Sequence, residues 1–246
     1  MSGGLEAVVL AGGFGTRLRA VVSDVPKPMA PVAGRPFLSW VLAQLASQGV
    51  GRVVLSVGYL HGVIVDFFGE AFEGMAIDYA IEAQPLGTGG AVAQALARCR
   101  GDHALVLNGD TYIDLDVAAL ERAWQREPRC LVVGRQVADT ARYGRIDHDG
   151  DGRVRSFVEK GGRGPGVINA GVYVLPADLL RGSPLAVPYA LEQQVLVPLA
   201  GQGRLALHVV QGGRFIDIGV PEDYAAAQAM DWTRATEAAP TAHADG

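Results

Sequence analysis

Residues 5 to 137 alternate five strand-like runs with four helix-like segments, and that alternation restricts the fold more than any other feature. Short apolar runs ("EAVVLAG", "RVVLSVG", "MAIDYAIEA", "HALVLNGD" and "CLVVGRQV") are separated by segments whose apolar residues recur at helical spacing. Runs this short and this apolar are expected of strands buried on both faces, which is the environment of a parallel sheet. The segments between them, "FLSWVLAQLASQGV", "HGVIVDFFGEAF", "GGAVAQALARCR" and "VAALERAWQRE", supply the covering helices. The order predicts an α/β fold with a Rossmann-like, doubly wound, mostly parallel sheet. Ligands of such sheets bind beyond the carboxyl ends of the strands. Gly12–Arg17, Gln84–Gly90 and Asn108–Asp110 fall at those ends.

From about residue 143 the texture becomes β-rich. "YGRIDHDGDGRVRSFVEK" alternates and carries the Asp-Gly punctuation of a hairpin. "GVINAGVYVL", "RLALHVV" and "RFIDIG" read as strands, "YALEQQVLVPLA" as a helix, and "PEDYAAAQAM" as a last helix with Pro221 in its first turn. No Pro-, Ser- or Gly-rich linker separates independent units, and no internal repeat is present. The expectation is one domain over 1–232, its nucleotide-binding half at about 5–137 and its second half at about 138–230. Gly161 to Gly166 reads as a loop, and 233–246 as a disordered tail.

With 49% hydrophobic residues among 246, the chain can bury a sizeable core. Its net charge of -5, from 21 basic and 26 acidic residues mixed along the length, argues against nucleic acid and anionic membrane as partners. The N-terminus has no basic segment ahead of its apolar run, and that run is too short to span a bilayer. A soluble, cytoplasmic protein is expected. Cys99 and Cys130 form no CxxC pair and read as buried thiols in a reducing compartment. The sequence leaves the assembly open and is compatible with a homo-oligomer.

The first strand opens onto "LAGGFGTRLRAVVSDVPKPM", three glycines within four positions, then arginines, then Lys27 between two prolines. The P-loop pattern is absent. A dinucleotide fingerprint begins at Gly13 and Gly15, but Leu18 takes the third glycine position, and the second strand lacks the acidic residue that would hold a ribose. What remains is a backbone able to approach phosphates, with Arg17 and Lys27 as counter-charges.

This segment resembles the signature of sugar-1-phosphate nucleotidyltransferases, the nucleotide-sugar pyrophosphorylases. The resemblance continues in family order through "EAQPLGTGGA", "VLNGDTY", "FVEK", "INAGVYVL" and "FIDIGVPEDY", over roughly residues 5 to 229. It is similar above all to the D-glycero-D-manno-heptose 1-phosphate guanylyltransferase branch of bacterial surface-polysaccharide pathways. Many family members carry a proline soon after the "GTRL" segment, where this chain has "RLRAVV". Several relatives also carry a C-terminal β-helix, for which this chain is too short, so no second activity is expected.

The resemblance implies the nucleotide-diphospho-sugar transferase fold and transfer of a nucleotidyl group to a sugar 1-phosphate, with pyrophosphate leaving. It implies Arg17, Lys27, Asp110 and Asp217 as catalytic residues, with Asp110 and Asp217 holding Mg²⁺. The nucleotide side would comprise Leu10, Ala11, Gly12, Gly13, Gly15, Thr16, Glu82, Gln84, Pro85, Gly87, Thr88, Gly90, Asn108 and Gly109. Gly87 and Gly90 would come closest to base and ribose. The sugar-phosphate side would comprise Gly144, Glu159, Lys160, Asn169, Gly171 and Glu192. Asp114 and Asp116 read as turn and cap residues. A glutamate at 82 suits guanine, whose N1–H and 2-amino donors a carboxylate can accept together, whereas uracil and thymine suit a glutamine. The favoured partners are therefore GTP and D-glycero-α-D-manno-heptose 1-phosphate. Mannose 1-phosphate guanylyl transfer, uridylyl or thymidylyl transfer to a hexose 1-phosphate, and a non-catalytic sugar-nucleotide sensor are the alternatives.

Overall fold

The computed structural model describes residues 5–13, 18, 22, 24–158 and 163–233. β1 (Glu6–Leu10) precedes a 3₁₀ turn at Lys27–Met29 and a small hairpin, β2 (Pro31–Val32) and β3 (Arg35–Pro36). Then come α1 (Phe37–Ser47), β4 (Arg52–Val57), α2 (His61–Phe68), β5 (Ala71–Phe72), β6 (Met75–Ile81) and α3 (Gly87–Leu96). They are followed by β7 (His103–Asn108), β8 (Thr111–Ile113), α4 (Val117–Arg126), β9 (Cys130–Val137), β10 (Arg145–His148), β11 (Val154–Val158) and β12 (Gly166–Pro176). A π-helical turn (Glu192–Leu196) runs into α5 (Val197–Gly201), before β13 (Leu205–Val210), β14 (Phe215–Asp217) and α6 (Pro221–Gln228).

The apolar runs pair in parallel in the order β7-β1-β4-β6, with β5 antiparallel at the edge. Their carboxyl ends therefore share one rim of the sheet. On the other side, β12 joins the sheet antiparallel to β7. β12 is the hinge between the two textures seen in the sequence. Val167 and Ile168 near its amino end pair β10, which carries β11, and most of its length runs along β9, which carries β13 in parallel. The register of β12 against β9 shifts between Asn169 and Val172, and Gly171 sits there at φ +69°. That conformation is easy only for glycine. β8 and β14 form a separate ribbon in which Asp217 lies opposite Thr111.

Helices cover both faces, as expected of a doubly wound sheet. One core packs α1, α2, α4 and α6 around Phe37, Leu42, Ile64, Leu120 and Trp232. The other packs α3 and α5 around Val92, Leu96, Tyr173 and Leu199. In α4, Asp116 caps the first turn by accepting from Ala119 N at 2.8 Å, and Val117, Leu120 and Trp124 share the buried stripe. Asp114 instead accepts from the Arg214 backbone and guanidinium. The role of Asp116 matches the cap reading, whereas Asp114 holds a residue 100 positions away instead of serving a local turn.

Two elements differ from the sequence pattern. "YALEQQVLVPLA" is not one regular helix: Val197 N donates to Glu192 O, a wider π-type turn. Pro198, which has no N–H, follows at once as the second residue of the short α5, into which the π turn continues. "HGVIVDFFGEAF" stops at Phe68 because Gly69 takes φ +59°, and Ala71–Phe72 becomes the edge strand. Cys99 and Cys130 are free thiols, pushed up to about 12 and about 11 by burial. Among the described residues, no helix is long and apolar enough to cross a membrane.

Candidate active site

Four strand ends define the site. Register places Leu10 between Asn108 and Ser56, with Ala80 beyond Ser56. The chain then turns over the rim: Ala11 N donates to Ser56 O, Glu82 N to Val57 O, and Gly109 N to Leu10 O. A cleft of about 310 Å³ opens above this rim. Its lining includes Leu10, Gly12, Gly13, Glu82, Pro85, Gly87, Thr88, Asn108 and Asp110.

Glu82 lines that cleft half-buried, its carboxylate tied to the backbone. Its Oε2 accepts from Leu86 N at 3.0 Å. A Cβ at Gly12 would come within 2.6 Å of Glu82 Oε1, so glycine is required for the carboxylate to sit there. Burial raises the proton affinity of Glu82, and the Leu86 amide partly offsets it. Gln84 lines an adjoining recess together with Glu82 and Pro85.

A second cleft of about 540 Å³ lies along the bulge of β12. Gly144, Asn169, Gly171 and Glu192 line it, as expected, and so does Asn108. The bulge makes this possible, because a Cβ at Gly171 would lie 2.5 Å from Asn108 Nδ2. Asn169 Nδ2 donates to Tyr173 Oη at 3.0 Å and to Glu192 Oε2 at 3.3 Å, while its Oδ1 accepts from Gly171 N. Both donors and acceptors for a polyol are thereby fixed in place. Asp217 lines this cleft as well.

The two clefts meet at a charged seam. Lys27 begins a 3₁₀ turn after extended Pro26, and buried Pro28 follows it, so its backbone is tightly restricted. Its ammonium donates to Asp110 Oδ2 at 2.5 Å and lies 3.6 Å from Asp217 Oδ1. Gly219 N holds Asp217 Oδ1 at 2.8 Å, and Ile218 N donates to Asp110 O, tying the two aspartates' loops together. Burial, and then the like charge of Asp110, raises the proton affinity of Asp217 despite Lys27.

That excess negative charge tests whether a divalent cation suits the place. Asp110 and Asp217 are hard oxygen donors whose mutual repulsion one ammonium leaves uncompensated, so they fit such an ion. Among the described residues no group of three or more His, Cys, Asp or Glu could hold a metal. A cation bound by these two carboxylates would complete its shell with water and phosphate oxygens.

The sequence expectations are mostly brought together here, with exceptions. Gly15, Thr16, Arg17, Glu159 and Lys160, and the expected tail from residue 234, lie outside the described residues. Gly90 lies off the cleft lining: a Cβ there would meet Leu86 and Val187, so its smallness serves helix packing instead of approach to a base. Gly87 does line the cleft, yet its Cβ would meet the Tyr189 backbone at 2.4 Å, a packing demand too. Ala11 and Gly109 act beneath the rim through the backbone bonds above. Sequence reasoning missed Ser56, Tyr143, Gln193 and Gly219. Ser56 alone carried a visible signal, a polar residue within an apolar strand.

The nucleotidyl transferase family matches residues 6–234. D-glycero-alpha-D-manno-heptose 1-phosphate guanylyltransferase of Campylobacter jejuni is 38% identical over 220 residues, covering 89% of this chain and 97% of that protein. The protein of the same name from Aneurinibacillus thermoaerophilus is 37% identical over 225 residues, covering 91% and 97%. The crystal structure of HddC from Yersinia pseudotuberculosis complexed with GMP-PN is 38% identical, with a TM-score of 0.82, covering 92% of this chain and 98% of that one.

Proposed function

The chain belongs to the nucleotidyl transferase family, and on that premise we propose that it transfers a guanylyl group from GTP to D-glycero-α-D-manno-heptose 1-phosphate. GDP-heptose and pyrophosphate are the products. The observation that carries this reading is the seam: two clefts share Asn108 and meet at Lys27, Asp110 and Asp217. A two-substrate phosphoryl exchange needs that layout, with each substrate in its own cleft and the reacting phosphates between them.

The sugar phosphate oxygen attacks the α-phosphorus of GTP in line as pyrophosphate departs. The second pKa of a phosphate monoester is about 6, so the nucleophile is already ionised at neutral pH and needs no general base. Catalysis then consists of positioning and charge neutralisation. Lys27, only 11% exposed, supplies a fixed positive charge at the seam. Asp110 and Asp217 would hold Mg²⁺, which when bound neutralises phosphate charge. Asn169 and Glu192 position sugar hydroxyls, and Gly144 and Gly171 leave room for the ring. By family resemblance, Arg17 contacts the departing pyrophosphate, and Glu159 and Lys160 hold the sugar and its phosphate.

Glu82 is the proposed reader of guanine. The Leu86 amide occupies one lone pair of Oε2, and each carboxylate oxygen offers two, so both oxygens remain able to accept from N1–H and the 2-amino group. We read residues 1–232 as one nucleotidyltransferase domain, acting in the cytoplasm where GTP is made, in the supply of surface-polysaccharide precursors such as those of capsule or lipopolysaccharide.

The test is a matrix of five nucleoside triphosphates against heptose, mannose and glucose 1-phosphates, scored by pyrophosphate release with Mg²⁺. GTP with the heptose phosphate should give the highest kcat/KM. A higher value for UTP or dTTP would remove the guanine assignment, and a higher value with mannose 1-phosphate would remove the heptose.

A further inference from the structure

Ser56 is out of place in its strand. β4 reads "RVVLSV", and its α3-facing positions are Val54 and Ser56. Val54 packs with Val92 and Ala95 of α3, as that face demands. Ser56 is fully buried and its hydroxyl has no hydrogen-bond partner, yet it lines the nucleotide cleft. A buried hydroxyl without a partner is destabilising, and an alanine would avoid the penalty.

Its surroundings indicate what the hydroxyl is for. Ser56 pairs in register with Ala80, and Glu82 lies two residues further along the same face. The serine hydroxyl and the glutamate carboxylate therefore serve the same end of the cleft. Glu82 as a carboxylate can only accept, whereas guanine places the acceptor O6 beside its N1–H. The other side-chain donors lining the cleft stand elsewhere. Thr88 Oγ1 accepts from Leu191 N, which holds it on α3 towards Leu191 with its own proton unused, and Asn108 lies across β1, against Gly171 and the second cleft.

We propose that Ser56 is a base-binding residue whose hydroxyl donates to O6 of the guanine held by Glu82. This rests on the guanine reading above. A donor fixed in the cleft floor completes a three-point match, with two acceptors from Glu82 and one donor from Ser56. Adenine has neither N1–H nor a 2-amino group and would leave Glu82 without donors; the Ser56 hydroxyl, which can also accept, adds affinity through O6 and does not itself reject adenine.

The experiment compares wild type with Ser56→Ala using GTP, ITP and 6-thioguanosine triphosphate as substrates. ITP keeps O6 and lacks the 2-amino group, whereas the thio analogue keeps both donors and replaces O6 with a poor acceptor. Ser56→Ala should raise KM for GTP and for ITP by a similar factor, roughly tenfold, and leave KM for the thio analogue within about twofold. Its Tm should stay level or rise, because the hydroxyl has no partner in the protein. An unchanged KM for GTP, or an equal rise for all three nucleotides, would overturn the role of Ser56. Failure of the wild type to prefer GTP at all would instead remove the guanine reading beneath it.

Discussion

The ammonium of Lys27 donates to Asp110 at 2.5 Å across 83 positions of sequence. A cation already paired in the resting site cannot be recruited for ground-state binding without loss, so its value lies in charge that develops as pyrophosphate leaves. Lys27→Ala should therefore lower kcat by about 10²–10³-fold while KM for either substrate changes little. Steady-state pyrophosphate release measures both, and a large KM effect at constant kcat would contradict this role.

Gly219 is the least conspicuous member of the seam. A Cβ there would lie 2.9 Å from Asp217 Oδ1 and 3.3 Å from Lys27 Nζ. The Gly219 amide pins that same oxygen, so the carboxylate cannot simply swing aside. Gly219→Ala should reduce kcat by roughly tenfold with little change in Tm. A fully active variant would show that the carboxylate position is not critical.

Glu82 gives the site a pH dependence. Burial raises its proton affinity above the ordinary 4.5. A group shifted upward favours the folded state fully below its unfolded pKa and loses that contribution as pH rises through the folded value. Without nucleotide, Glu82→Gln should thus be at least as stable as wild type at neutral pH. Guanine binding needs the ionised form, so KM for GTP should rise as pH falls, beginning above pH 4.5. In Glu82→Gln that dependence should flatten, and the preference for GTP over UTP and dTTP should narrow. An unchanged nucleotide preference in the variant would remove Glu82 as the base reader.

The opposite rim of the sheet predicts acid sensitivity. Glu6 pairs in register with Arg52, ion-pairs with its guanidinium and accepts from Arg100 N and Gly101 N. Burial would raise its proton affinity, but the hydrogen bonds from Gly101 and Arg100, with the charge of Arg52, outweigh it and hold the group below 4.5. A downward shift contributes stability that is present above the unfolded pKa and lost as pH falls through the folded one. Glu6→Gln should cost about 1–2 kcal/mol at pH 7, since Arg52 keeps Asp78 as a partner at 2.6 Å, and show a flatter decline below pH 4.5. Urea midpoints across pH check both, and parallel curves for the two proteins would contradict the assignment.

Much of this architecture is legible in the chain because burial on two faces leaves no room for ambiguity. "EAVVL", "RVVLSV" and "HALVLN" are short apolar runs bounded by glycines, which read as interior strands, and the sharing of their carboxyl ends follows from helical crossovers. The partnership of Asp110 and Asp217 is different. No spacing encodes it, since it depends on β8 meeting β14 far along the chain, and only family resemblance pointed to it. The π-helical turn at Glu192 also escaped the periodic pattern, although Pro198 marks where regular hydrogen bonding fails. Gly87 and Gly90 show the limit of reading glycines: close approach to a base or ribose and a close-packed helix call for the same residue.

The most direct test of the seam is the initial rate of pyrophosphate release from GTP and heptose 1-phosphate across a Mg²⁺ titration, in wild type, Asp110→Asn and Asp217→Asn. Both variants should fold as wild type does, lose most of the turnover, and require far more Mg²⁺ for what remains, because each has lost half of the charge that would hold the ion. Near-wild-type rates at low Mg²⁺ in either variant would show that the reacting phosphates do not meet between these two carboxylates.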